Sequence, residues 1–122
     1  MNSWLLELRQ QPEHDVDASA ISLRALAQIG DPDQIKRLTL RCGQEPRPLG
    51  DLFSVSKLQS ENELRLVGDL TRFHRLGIDH RSGRITIQGS VGNYAGAMMS
   101  GGEIFIAGAA GDFLAAPVDA FR

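Results

Sequence analysis

The chain has one cysteine, little net charge and no apolar run of membrane-spanning length, and each of these absences removes a class of protein. Cys42 alone builds neither an intramolecular disulfide framework nor a multi-cysteine metal site, which suits a reducing cytosol. A formal net charge of −2 gives no global reason to expect nucleic acid or an anionic membrane as a partner. We therefore expect a cytoplasmic protein with no nucleic-acid or membrane partner.

Catalytic and phosphate-binding motifs are also missing. No local arrangement of Ser, His and Asp resembles a nucleophile with its base, and no Gly-Lys-Ser/Thr sequence follows the glycines. We expect no catalytic residue and no metal ligand. The weaker alternative is a metal site or an acid–base pair formed by His74 and His80, with Asp79 nearby. The favoured interpretation is that both histidines are solvated surface residues.

What the chain does contain is a repeat. The sequence of residues 101–108, GGEIFIAG, is a near copy of residues 82–89, SGRITIQG, nineteen positions earlier. Residues 63–68, ELRLVG, align with residues 84–89 at an offset of twenty-one. Each copy has two aliphatic residues separated by one position, which places both on one face of a strand. These pairs are Leu64 and Leu66, Ile85 and Ile87, and Ile104 and Ile106.

A unit of about twenty residues with short strands and glycine corners predicts a mainly β fold, a β-solenoid in which equivalent strands lie about 4.8 Å apart. We place the repeats in residues 48–122, with coils near 63–83, 84–102 and 103–122. The predicted turn residues are Gly68, Gly77, Gly83, Gly89, Gly92, Gly96, Gly102, Gly108 and Gly111. The pairs Gly50-Asp51, Gly68-Asp69 and Gly111-Asp112 are interpreted as turns in which Asp bonds nearby backbone amides, with calcium loops as the alternative.

Residues 1–47 predict a small α/β cap. In order, we expect an edge strand at 4–8, a helix near 22–28 capped by Asp17 or Ser19, a second helix after Asp31-Pro32, and an extended segment at 39–42. The prolines in residues 44–48 are expected to exclude regular strand pairing there. Residues 49–55 are expected to open the solenoid.

Three stretches carry a resemblance to the C-type subunit of formylmethanofuran dehydrogenase. They are residues 48–55 (PLGDLFSV), Gly68-Asp69, and residues 89–112 (GSVGNYAGAMMSGGEIFIAGAAGD). That family includes the C-type subunit of the bacterial formyltransferase/hydrolase complex and resembles the carboxy-terminal glycine-motif domain of the glutamate synthase large subunit. Residues 111–117 are more similar to the bacterial complex.

The resemblance implies a right-handed β-helix that serves as a non-catalytic structural subunit. In the formyltransferase/hydrolase complex, formyl groups pass between a methanofuran-type carrier and tetrahydromethanopterin in one-carbon metabolism, and the active sites lie on amidohydrolase-like and formyltransferase subunits. The alternatives are the C-type subunit of a molybdenum or tungsten formylmethanofuran dehydrogenase and an independent β-solenoid interaction module. No cofactor is expected on this chain alone, and family members carry several more coils.

Two surface features suggest contacts. Four arginines, Arg72, Arg75, Arg81 and Arg84, surround the single acid Asp79 and predict a basic edge. A solvated face or an ion-pair rim to a neighbouring subunit is favoured there over binding of the carboxylate-rich tail of the methanofuran-type carrier. A nearly uncharged alanine face is the second candidate contact, with Met98-Met99 as core or interface filling. Its members are Ala95, Ala97, Ala107, Ala109, Ala110, Ala115 and Ala116.

Overall fold

The fold is mainly β, as the sequence predicts, and both sheets contain parallel and antiparallel pairs. The computed structural model describes residues 2–109 and residue 111. The elements in chain order are β1 (Trp4–Leu8), β2 (Val16–Asp17), α1 (Leu23–Leu26), α2 (Pro32–Lys36), β3 (Thr39–Cys42), β4 (Glu45–Pro48), α3 (Leu49–Leu52), β5 (Phe53–Lys57), β6 (Glu63–Val67), β7 (Phe73–His74), β8 (Arg84–Gln88) and β9 (Glu103–Ile106). Of the described helices, none has the length and apolar character needed to cross a bilayer.

The larger sheet has the strand order β5-β1-β6-β8-β9. Strands β6, β8 and β9 are parallel, and their register pairs Leu64 with Ile85 and Ile85 with Ile104. The offsets of twenty-one and nineteen residues predicted from the repeat are thereby confirmed. The register is fixed because a one-residue slip would turn both aliphatic side chains of a strand away from the core.

The segments between these strands also pair from one repeat to the next. A parallel bridge joins Leu70 to Val91. The Arg75 N–H donates to the Asn93 carbonyl at 2.9 Å, and the Asp79 N–H donates to the Ala97 carbonyl at 2.8 Å. Successive repeats therefore lie on each other over the connecting segments as well as over the strands.

The N-terminal strands belong to the same two sheets. Strand β1 pairs in parallel with β6, and β2 pairs in parallel with β7. The prediction of a strand at residues 4–8 is confirmed, but its edge position is wrong because β1 lies between β5 and β6. The division of the chain at residue 47 stays a prediction. Each of the two sheets contains strands from before and from after that residue.

Residues 22–57 form an excursion from the parallel stack and return antiparallel to it. Both predicted helices are confirmed: Ser22, rather than Asp17 or Ser19, caps α1 by accepting the Ala25 N–H, and Asp31 caps α2. Strand β3 then pairs antiparallel with β2, and β5 pairs antiparallel with β1. The excursion thus covers the edges of β1 and β2 that face away from the repeats.

Two expectations for this excursion are wrong. The proline segment forms β4, which pairs with β3 at the edge of the smaller sheet. Pro46 and Pro48 are two residues apart, so both direct their nitrogens to the solvent edge, where no N–H is needed. Residues 49–55 form α3 and the start of β5, whose antiparallel direction excludes it from the parallel stack.

The core is a column of side chains from equivalent positions. The aliphatic pairs of β6 and β8 are at most 1% exposed, and they continue the buried Trp4 and Leu6 of β1. Each such side chain contributes about 1.5–3 kcal/mol on burial. Phe53 and Phe73 pack on each other with ring centroids 5.2 Å apart.

The predicted glycines meet two different constraints. Six have positive φ: Gly68, Gly77, Gly83, Gly89, Gly96 and Gly102. At the other three the constraint is close backbone approach; a Cβ on Gly108, for example, would lie 2.6 Å from the Gly89 carbonyl carbon. The repeat geometry also forces non-glycine residues into positive φ at matching positions, since Arg75 and Asp79 are followed nineteen residues later by Tyr94 and Met98.

Candidate partner-binding surface

The four predicted arginines lie around two different strands. Arg72 and Arg75 flank β7, whereas Arg81 precedes β8 and Arg84 begins it. Arg72, Arg81 and Arg84 each have a different partner, and Arg75 borders a groove, so the four guanidinium groups lie in separate environments.

Arg72 holds the N-terminal loop against the repeat. Its Nη1 donates to the carbonyl of Glu13 at 2.9 Å and to that of Pro12 at 3.4 Å. A guanidinium engaged by two backbone carbonyls has fewer donors left for an external carboxylate. The structure thus gives Arg72 a tethering contact within the chain.

Arg81 and Arg84 pair with carboxylates at the surface. Arg81 Nη2 lies 3.2 Å from Asp79 Oδ2, and Arg84 Nη2 lies 3.7 Å from Glu103 Oε1. All four side chains are at least half exposed, so each pair contributes little to stability. These ion pairs reduce the positive charge that the basic edge would present.

Arg75 is the arginine of the set whose guanidinium makes no hydrogen bond or ion pair with another described residue. Its backbone has a φ of 66°. The side chain borders a groove of about 270 Å³ that is also lined by Asp15, Asp17, Arg41 and His74. This groove carries charges of both signs. Binding of a carrier or of another subunit by the four arginines stays a prediction.

The histidines are not solvated surface residues, contrary to the favoured interpretation. His80 is 4% exposed, and its Nε2 lies 2.9 Å from the Gly83 carbonyl. His74 is half-buried; its Nδ1 accepts the Asn93 N–H at 2.8 Å, and its Nε2 lies 3.5 Å from Asp15 Oδ2. Both rings tie one repeat to the next or to its own turn. Within residues 2–109 and 111 no three His, Cys, Asp or Glu side chains are grouped to hold a metal ion.

The turn interpretation of the Gly-Asp pairs holds at Gly68-Asp69. The Asp69 carboxylate accepts the Thr71 N–H at 3.2 Å and the Thr71 hydroxyl. These hydrogen bonds hold the pKa of Asp69 below its ordinary value. Asp51 lies in α3 with Arg47 4.0 Å away, and Asp112 lies outside the described residues.

A buried carboxylate at the start of β6 was missed by sequence reasoning. Glu63 is 5% exposed. Its carboxylate accepts from the Ser60 hydroxyl at 2.8 Å, from Arg65 at 3.1 Å and from the Thr86 hydroxyl at 3.2 Å. Burial by itself would raise the pKa of Glu63, but these hydrogen bonds and the Arg65 charge outweigh it and lower the pKa. The sequence signal was the Glu-x-Arg spacing, which places both side chains on one face of the strand.

The alanine face is only partly present. Ala95 and Ala97 are buried, at 0% and 8% exposure, and Ala95 belongs to the hydrophobic core. Ala107 and Ala109 are exposed, and the remaining predicted members, Ala110, Ala115 and Ala116, lie outside the described residues.

Among the described residues, the large exposed apolar side chains lie on β9 and on the segment between β8 and β9. Phe105 on β9 is 62% exposed, Met98 53% and Tyr94 41%. At the equivalent positions one repeat earlier the chain has Thr86, Asp79 and Arg75, which are polar or charged. The surface therefore becomes more apolar towards β9.

These features define the class: a mainly β protein whose repeated strands stack in parallel and which exposes apolar side chains on β9 and on the segment before it. The C-type subunit of the molybdenum-containing formylmethanofuran dehydrogenase 1 of Methanothermobacter marburgensis is 38% identical over 63 residues, which are 51% of this chain and 16% of that protein. The C-type subunit of the tungsten-containing formylmethanofuran dehydrogenase 2 of Methanothermobacter thermautotrophicus is 32% identical over 101 residues, 80% of this chain and 37% of that protein.

The chain thus spans well under half the length of these curated relatives. No protein-family model matches it. The similarities support the family of C-type formylmethanofuran dehydrogenase subunits that the sequence resembles. They favour the dehydrogenase alternative over the formyltransferase/hydrolase complex, since both relatives carry the dehydrogenase name.

Proposed function

We propose that this chain forms a right-handed β-helix module of the C-type family and scaffolds a cytoplasmic formylmethanofuran dehydrogenase complex. In this proposal the chain has no active site and contacts other subunits of the enzyme. The bacterial formyltransferase/hydrolase complex, with amidohydrolase-like and formyltransferase subunits, is the second candidate, favoured by the sequence of residues 111–117.

The observation that carries the proposal is the agreement between the repeat and the strand register. Parallel pairing of β6, β8 and β9 at the repeat offsets, together with bonded connecting segments, is what a β-helix requires. The 101-residue similarity to a protein named as a formylmethanofuran dehydrogenase subunit supports the choice of enzyme complex in this proposal.

A stacked module of this kind presents a rigid surface, because its backbone groups are bonded between neighbouring repeats. The exposed apolar side chains on β9 and on the segment before it supply contact area of the type found in the cores of protein interfaces. In this proposal Arg72, Arg75, Arg81 and Arg84 contact another subunit or the methanofuran-type carrier. Replacing all four and finding carrier retention by the intact complex unchanged would reject the carrier role.

The test is affinity purification of the tagged chain from its native cells at low salt, followed by mass and metal analysis. We expect molybdenum or tungsten with iron–sulfur subunits. An amidohydrolase-like subunit with a pterin formyltransferase would assign the second candidate instead. A monomer with no partner would overturn the scaffold function.

A matched pair of variants separates specific co-purification of partner subunits, here called capture, from background binding. Ile87→Asp places a charge at a position that is 1% exposed and should abolish capture by disrupting the stack. Gln88→Asp changes the adjacent exposed position and should leave capture intact.

A further inference from the structure

We propose that the groove beside Arg75 binds a small α-amino acid as its zwitterion. In this proposal two arginines contact the ligand carboxylate and two aspartates contact the ligand ammonium group. The arginines are Arg41 and Arg75, and the aspartates are Asp15 and Asp17. The groove runs over β3, β2 and β7, and its volume of about 270 Å³ suits a small ligand, since pockets for drug-sized molecules measure about 300–1,000 Å³.

The register of the smaller sheet places opposite charges side by side. Alternate residues of a strand face opposite sides, and Asp17 and Arg41 are both exposed next to buried neighbours on their own strands. Asp17 lies opposite Arg41 on one side and opposite His74 on the other, and Arg75 follows His74. Carboxylate and guanidinium groups are thus carried by strands about 4.8 Å apart. A ligand whose own two charges lie close together matches this spacing, which favours an α-amino acid over one with a long chain between its charges.

The two facing charges are directed to backbone groups rather than to each other. Asp17 Oδ1 accepts the Ser19 N–H at 3.0 Å, and Arg41 Nη1 donates to the Gln44 carbonyl at 3.4 Å. A carboxylate has a second oxygen and a guanidinium has five N–H donors, so each group keeps capacity for a ligand.

Arg75 is an arginine at a position where its backbone favours another residue. Its φ is 66°, a region that glycine or asparagine adopts at lower cost. Its N–H donates to the Asn93 carbonyl at 2.9 Å, which accounts for the backbone conformation but not for the side chain. A cationic side chain in a strained position, with no partner among the described residues, is available to an anionic group of a ligand.

His74 places the second carboxylate at the groove and leaves the charges balanced. Its Nδ1 accepts the Asn93 N–H at 2.8 Å, so the neutral ring carries its hydrogen on Nε2, which lies 3.5 Å from Asp15 Oδ2. With His74 neutral, the groove has two positive and two negative side chains. A simple anion would meet two carboxylates and a simple cation two guanidinium groups, whereas a zwitterion has an opposite charge for both.

The probe is glycine, titrated into the isolated full chain at constant pH and ionic strength. The readout is the NMR signals of the Arg41 and Arg75 Nε–H groups. We expect both signals to shift saturably with a dissociation constant of about 1–10 mM, because charged groups this exposed form weak ion pairs. Acetate and methylammonium each carry one charged group of glycine and should bind at least about tenfold more weakly. ε-Aminocaproate carries both groups farther apart and should bind at least about threefold more weakly.

Two pairs of variants test the assigned residues. Asp17→Asn removes the charge but keeps an oxygen that can accept the same backbone N–H, and it should weaken glycine binding at least about fivefold. Asp31→Asn is its matched control, since Asp31 accepts a backbone N–H in the same way at 2.9 Å but does not line the groove. Arg75→Gln should weaken binding by a similar factor, with Arg37→Gln, at an exposed arginine away from the groove, as its control. Both controls should bind glycine as the parent chain does.

Three outcomes would overturn the proposal. The first is absence of saturable shifts with glycine. The second is binding of acetate, methylammonium or ε-aminocaproate as tight as that of glycine, because the groove would then select one charge or a longer ligand. The third is equal weakening by the groove variants and their controls. Glycine binding is measured on the isolated chain and does not depend on the scaffold function, so its outcome is separate from that of the co-purification.

Discussion

Gly89→Ala tests whether the repeat stacks through its glycine corners. Gly89 follows β8 with a φ of 149°, a region in which an L side chain costs about 1–3 kcal/mol. An added Cβ would also overlap the Gly68 carbonyl oxygen and lie 2.8 Å from the Gly68 carbonyl carbon, so β6 and β8 would have to separate there. We expect a loss of about 2–4 kcal/mol in the free energy of unfolding, or roughly 10 °C in melting temperature.

The single tryptophan, Trp4, is fully buried in β1 and reports the unfolding by fluorescence in urea. Gly30→Ala is the matched control, since the nearest atom to an added Cβ is Asn2 Nδ2 at 3.8 Å and its φ lies outside the positive range. That variant should remain within about 0.5 kcal/mol of the parent chain. If the two variants unfold alike, the close approach of Gly68 and Gly89 does not govern stability.

Three further predictions concern single side chains. Since the pKa of Glu63 in the folded chain is lowered from 4.5, the stabilisation by its carboxylate is present above that value and is lost as the pH falls through the lowered one. Glu63→Gln should therefore flatten the pH dependence of the free energy of unfolding below about pH 4.5; parallel curves for the two chains would contradict this. Met98 has a φ of 59°, so Met98→Val should cost about 1–2 kcal/mol by thermal unfolding, whereas Met98→Asn should be nearly neutral. Equal melting temperatures would reject the strained backbone. Arg72→Gln should raise hydrogen exchange in the loop around Pro12 by releasing its contact, with Arg75→Gln as the unaffected control; equal exchange in both would reject the tether.

The repeat was accessible from the sequence because it depends on local chemistry. A period-two aliphatic pair defines a strand face, and recurrence of the pair at nineteen or twenty-one residues defines which strands are neighbours. The register of Leu64, Ile85 and Ile104 follows from these two facts and is confirmed. The start of α2 was similarly accessible because its N-cap Asp31 and the proline that follows act within one turn, whereas the cap of α1 is Ser22 and not the predicted Asp17 or Ser19.

The place of β1 was not accessible in the same way. Trp4 and Leu6 are equivalent to Leu64 and Leu66 in the sheet, but about sixty residues separate them, far from the repeat period. Strand β1 lies between β5 and β6 because the excursion of residues 22–57 returns to the sheet and places β5 beside it. The proline segment lies in the same excursion, and its pairing with β3 at the edge of the smaller sheet likewise depends on contacts between distant parts of the chain.

The sequence by itself determined the repeat, its strand register and the family resemblance, because these are encoded in residue type and spacing along the chain. Only the tertiary structure decided which polar side chains have hydrogen-bond partners within the chain. Arg72 meets backbone carbonyls, and Glu63 is buried among Ser60, Arg65 and Thr86. Such contacts depend on where distant segments meet in space, and burial and hydrogen bonding at those meeting points are not properties of any local stretch of sequence.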